Sequence, residues 1–211
     1  MMATNGIIGR VLRASTQGYA VGCRVNQLEA VAFGSLVKAC PINAHEGVYG
    51  LIYDIHIDDD PLARRLVLGE NPAPEVIQDQ RENRLLPVEM SVLTVGYAQN
   101  GRIYHRLPPR PPLNLDPVQL CTDPKEISRF TNHLGYLRLI LQNQSSNIPI
   151  IQLLVGHVVS TWELRGQDTP WALGIIQELT ELLRSNYDIL IPAMEALSDA
   201  LPGLTEAPDR S

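Results

Sequence analysis

The 211-residue sequence is short of most features that announce chemistry. It contains no G-x-x-x-x-G-K-[ST] segment, which excludes a P-loop of the usual type, and no G-x-G-x-x-G, H-E-x-x-H, G-x-S-x-G or C-x-x-C. Cys23, Cys40 and Cys121 are odd in number, scattered and not at metal-ligand spacing, the pattern of buried reduced thiols in a cytoplasmic protein. The longest apolar stretch, "IPIIQLLVGHVV", falls short of the roughly 20 residues a membrane span requires. The opening "MMATNGIIGRVLRAS" lacks the apolar run of a secretory signal. These absences lead to the expectation of a soluble, cytoplasmic protein with no metal, no cofactor and no assembled catalytic group, and hence not an enzyme.

What is present is ordinary for a globular chain: 45% hydrophobic residues, 19% charged and a net charge of −6. The charge is uneven. From Glu178 to the end there are seven carboxylates against two arginines. Arg102, Arg106 and Arg110, with His105 among them, form a segment without an acidic residue and are the candidate contacts for nucleic acid or another anion. The acidic total and the scarcity of aromatic residues beside them weigh against nucleic acid, and a solvated face is the plainer reading.

The first half has the period of strands. In "YAVGCRV", Tyr19, Val21, Cys23 and Val25 alternate with small or polar residues, and "VYGLIYDIHI" places Tyr49, Leu51, Tyr53, Ile55 and Ile57 on one face. "GIIGRVLRA" and "FGSLVKA" are shorter runs of the same kind. "VEMSVLTVGYA" and "RIYHRL" flank Gln99-Asn100-Gly101, and Asn-Gly between strand-like runs is a strong hairpin signal. About six strands at close spacing predict a small closed barrel, which leaves no exposed edge. Residues 58–87 read as a polar, proline-punctuated excursion with a helical piece around Ala73–Arg84.

At Asp123 the period changes. Asp123 is a helix N-cap, Pro124 the first helical residue, and Ile127, Phe130, Leu134, Leu137 and Leu141 share one face. "PIIQLLVGHVVSTWEL" is apolar nearly all round and should be the buried member of a helical group. Another helix begins at Thr169-Pro170, and a last one spans about Pro192–Leu201. The expected fold is α+β: a six-stranded β-barrel over residues 1–122, a helical domain over 123–204 and a frayed tail at 205–211.

The stretch "YHRLPPRPPLNLDPVQLC", residues 104–121, is read as the barrel's closing segment and hand-over to the helices, because prolines suit positions that donate nothing to a ladder. Other candidates for chemistry are weaker. Asp54, His56 and Asp58 fall at one strand end and suggest a metal site, but the same residues make an ordinary solvated exit into a loop. His133 and His157 would meet across a helix pair or serve as separate structural residues. His45 and His105 have no acid–base partner nearby in sequence.

The order of several short motifs carries a resemblance. Gly9-Arg10-Val11, Gly34-Ser35-Leu36-Val37 and Gly50-Leu51-Ile52 are followed by Val95-Gly96-Tyr97, Asn100-Gly101, Pro108-Pro109-Arg110-Pro111 and Val118. Over about residues 5–122 this resembles the HAS barrel, the small β-barrel shared by HerA-type DNA translocases and the catalytic-ring subunits of rotary ATP synthases. It departs in having Pro112 where the family usually has glycine and in an insertion before Val118. In that family a P-loop ATPase domain follows the barrel; here no such motif follows, so ATP hydrolysis is not implied. What the resemblance implies is a barrel that makes subunit and partner contacts. The leading expectation is thus a non-enzymatic assembly or adaptor protein, homo-oligomeric or docked on a partner such as a ring ATPase or nuclease. A nucleic-acid-associated module and an enzyme with an unfamiliar site are the alternatives.

Overall fold

A computed structural model of the chain describes residues 6–23, 28, 30–41, 46–57, 73–76, 88–143 and 147–201. Its seven strands are β1 (Ile7–Ala14), β2 (Gly18–Cys23), β3 (Leu36–Ala39), β4 (Glu46–Ile57), β5 (Val88–Gln99), β6 (Arg102–Tyr104) and β7 (Pro117–Leu120). They run in the order β2-β1-β7-β3-β4-β5-β6, every pair antiparallel, and a further β2–β5 pairing closes six of them into a barrel. Val11, Val21, Val37, Ile52, Met90, Val92 and Val118 fill the interior, all essentially without exposure.

The sixth stave is not the run after Asn100-Gly101. That run, β6, pairs only with the outer end of β5 and forms a hairpin beyond the barrel. Asn100 and Gly101 both have positive φ, 50° and 77°, the geometry of a two-residue type I′ turn. The closing stave is β7, which joins β1 to β3 (Arg10↔Pro117, Val37↔Leu120). It follows the proline run, whose Pro108 and Pro112 are buried.

The strands face two cores rather than one core and solvent. On β4, Val48 and Ile52 point into the barrel, while Tyr49, Leu51 and Tyr53 point outward under the helices. A bulge between Ile52 and Asp54 then shifts the register and turns Ile55 inward, so the single apolar face expected from alternation is split.

Five helices follow: α1 (Pro124–Thr131), α2 (Tyr136–Leu141), α3 (Ile150–Leu164), α4 (Thr169–Leu183) and α5 (Tyr187–Ala200). Asp123 caps α1 by accepting from the Lys125 N–H at 3.0 Å, with Pro124 in the first turn. The expected continuous helix from Asp123 breaks after Thr131. The Thr131 carbonyl accepts from the Trp171 indole at 3.0 Å and its hydroxyl bonds back to the Ile127 carbonyl, interactions that end α1. The last helix starts at Tyr187 and carries Pro192 inside it; Pro192 lies on the exposed side, where the carbonyl it cannot pair faces water. Central to the group is α3, packed against α1, α2, α4, α5 and β4.

Barrel and helices meet through a close backbone approach. Gly34, at φ +84°, lies so near α3 that an added Cβ would sit 2.6 Å from the Gly156 carbonyl carbon and the His157 nitrogen. Among the described residues no helix is long and apolar enough to cross a membrane. The excursion at 58–87 lies outside the described residues except for one helical turn at 74–76, and the tail at 205–211 lies outside them altogether.

Candidate functional site

The most distinctive surface is the turn between the proline run and β7. Asp116 is only 5% exposed, and its carboxylate accepts from the Leu113 N–H at 2.8 Å while its own N–H donates to the Leu113 carbonyl at 3.1 Å. This is the local side-chain-to-backbone bonding that Asp and Asn favour in turns. The turn is then fastened to β1: Leu115 N–H donates to the Val11 carbonyl at 2.8 Å, Val11 N–H donates to the Asp116 carbonyl at 3.0 Å, and Arg10 Nη1 donates to the Leu115 carbonyl at 2.8 Å.

A turn fixed this way presents apolar side chains to water. Leu113 is 69% exposed and Leu115 is 65% exposed. Leu115 also holds φ +70°, a left-handed conformation that costs an L-residue with a bulky side chain roughly 1–2 kcal/mol. Next to them on β1, a bulge between Val11 and Arg13 pushes Leu12 outward to 45% exposure. In the sequence the stretch "LNLDP" reads only as part of the barrel's closing segment.

The three candidate arginines have different surroundings. Arg106 donates to the Tyr97 hydroxyl at 3.1 and 3.3 Å and lies over the stacked Tyr97 and Tyr104 rings, 5.1 Å from the Tyr104 centroid. Arg110 is largely exposed but lies 3.9 Å from Glu46. Arg102 is exposed on β6.

A seam of rings joins barrel to helices. Phe130 of α1 stands 4.5 Å from Tyr49, 4.9 Å from His105 and 5.4 Å from Tyr136, centroid to centroid. At its edge Glu126 accepts from the Tyr49 hydroxyl at 2.8 Å and pairs with Lys38. Burial, reinforced by the Glu126 carboxylate, raises the Tyr49 phenol, and burial likewise raises the Cys40 and Cys121 thiols, which disfavours their thiolates. His157 and His133 do not meet. His157 is wholly buried, with its ring nitrogens 3.1 Å from the Tyr136 hydroxyl and 3.3 Å from Thr161 Oγ1, and burial lowers it to about 4 despite a hydrogen bond to the Gly34 backbone. His133 is exposed, and its ring faces His105 at 6.4 Å. His105 is itself lowered by burial and bonds the Phe130 carbonyl at 3.0 Å.

Asp54 and His56 are exposed on β4, His56 registered against Glu89; Asp58 lies outside the described residues, as does His45. Among the described residues no group of three or more metal-ligating side chains converges. A cleft of about 480 Å³ opens where β2 and β5 meet the α2–α3 connection, lined by Arg13, Ser15, Gln17, Tyr53, Ser91 and Asn147. Among the described lining residues the one cation, Arg13, is held by both oxygens of Glu89.

No protein-family model matches this chain, and no curated protein matches it.

Proposed function

We propose that this protein is a non-enzymatic assembly or adaptor module whose barrel makes the contacts. The carrying observation is the 113–116 turn: two leucines exposed by about two thirds on a backbone fixed by five hydrogen bonds, one of them in a strained conformation. Local strain is kept where a particular side-chain display is needed, and rigid apolar anchors are what interfaces are built around. Among the described residues, His157 is engaged in the helical core, and Lys38 and Tyr49 are engaged by Glu126. The resemblance of residues 5–122 to the HAS barrel supports the same reading and suggests a ring ATPase or nuclease as a partner class.

The test is mass and capture. Size-exclusion chromatography with light scattering is expected to show a defined assembly, or a pull-down from the native cell a specific partner. A strict monomer that recovers nothing specific overturns the proposal. Nucleic-acid binding is the lesser reading, because Arg106 and Arg110 already have tyrosine and glutamate neighbours. It predicts salt-sensitive retention on DNA or RNA.

A further inference from the structure

Two surfaces on opposite parts of the chain complement each other in charge and apolarity. The first is the barrel turn, Leu113 and Leu115 with Leu12, beside the exposed Arg10; the turn's own acid, Asp116, is buried and committed to the turn. The second is the outer face of α5. There Tyr187 is 64% exposed and Ile191 52% exposed, one helical turn apart, with Asp188 and Glu195 exposed alongside them. The α5 sequence also carries Asp199 and has no lysine or arginine, and the last cation before it is Arg184. The inner side of α5 packs on α3 and α4, and this exposed stripe is the face that meets neither.

We infer that the occupant of the barrel turn is a second copy of this chain, docking the acidic, apolar face of its α5 onto Leu12, Leu113, Leu115 and Arg10. The inference rests on the proposed assembly function and specifies the interface. Each side supplies what the other lacks: exposed leucines and a guanidinium on the barrel, an aromatic–aliphatic pair flanked by carboxylates on the helix. Burying the leucines removes apolar surface from water, and the opposite charges set register and discourage the reverse pairing. The proposed contact is head-to-tail: each copy gives its α5 face to one neighbour and its barrel turn to another. Repetition of such a contact gives a closed ring or an open filament rather than a two-fold dimer.

A complementation experiment on the full chain tests this. Leu113→Ser/Leu115→Gly spoils the barrel face; glycine suits φ +70°, so this variant should melt no lower than the wild type. Asp188→Lys/Ile191→Gln spoils the helix face at exposed positions. By light scattering across protein concentration, wild type is expected to grow beyond the dimer, more weakly at high salt. Each double variant alone should associate roughly tenfold or more less tightly. Mixed in equal amounts, the two should recover association and stop at one-to-one heterodimers, because only one intact pair of faces remains. A contact of either patch with its own kind on a second copy cannot show that rescue. Wild-type assembly unchanged by both variants, or a mixture that fails to recover, overturns this interface while leaving the assembly function in place. A monomeric wild type also overturns it, and if pull-down recovers no specific partner the broader proposal falls as well.

Discussion

The barrel and the helical layer are stabilised in different ways, although they share a wall. The barrel interior is aliphatic and mostly β-branched, and six staves pair around it with no unpaired edge at the seam. It owns its core outright. The helical layer does not: its hydrophobic cluster includes Leu36, Tyr49, Leu51, Leu93 and Val95, all contributed by the outer faces of strands. Its adhesion depends on the rings around Phe130 and on the glycine contact between Gly34 and α3. A sheet with both faces covered thus supports two cores, of which only the helical one draws on both layers.

Paired truncations break this comparison most directly. Phe130→Ala, at a fully buried ring, should cost about 3–5 kcal/mol. Hydrogen exchange should then show helical amides losing protection while the barrel ladder keeps its own. Ile52→Ala, on the other side of the same wall, should cost about 2–5 kcal/mol and lower protection in both layers together. Barrel amides that fail along with the helices in Phe130→Ala would show that the barrel core is not independent.

Gly34→Val probes the joint itself. The added Cβ meets backbone rather than a flexible side chain, and the residue must hold positive φ. Strain of about 1–2 kcal/mol and overpacking of about 1–3 kcal/mol together predict a loss of roughly 2–5 kcal/mol by denaturant unfolding. Gly156→Ala should be milder, since its Cβ would stand 3.2 Å from the Phe33 carbonyl oxygen. Equal effects at the two positions would contradict the asymmetry of the contact.

Acid should separate the layers more gently. His157 is lowered to about 4 in the fold and returns to the ordinary range when exposed by unfolding. The unfolded chain therefore takes up the proton first, so the contribution is present above about pH 6.5 and is lost as pH falls toward 4. In full it amounts to about 3 kcal/mol, and a His157→Gln variant should flatten the slope of melting temperature between those limits. An unchanged slope would place the acid sensitivity elsewhere.

Local chemistry made much of this fold legible. Asn100-Gly101 fixed a hairpin because positive φ is required twice, and Asp123-Pro124 fixed a helix start because both residues satisfy the first turn. Features set by distant partners were hidden. Trp171, forty positions away, captures the Thr131 carbonyl and divides a helix that its own periodicity would continue. The bulge after Ile52 splits one apolar face into two, and no spacing in the strand announces it. At the candidate site the closing role of the proline segment was readable, but neither the 113–116 turn nor the exposure of Leu113 and Leu115 was, because the turn is held by hydrogen bonds to β1. The contacts of Arg106 with Tyr97 and of Arg110 with Glu46 join the segment after β6 to β5 and β4, which no spacing announces.

The seam between β1 and β7 also sets a timetable for synthesis. Arg10 and the residue whose carbonyl it binds are 105 positions apart, so β1 waits for its second neighbour until nearly all of the strand-forming sequence has been made. At about 5–20 residues per second that delay is on the order of 5–20 s, during which an apolar strand has one edge unpaired on the ribosome. Arg10 and Arg13 interrupt that strand with charge, the common means by which nascent edges resist pairing with neighbouring chains.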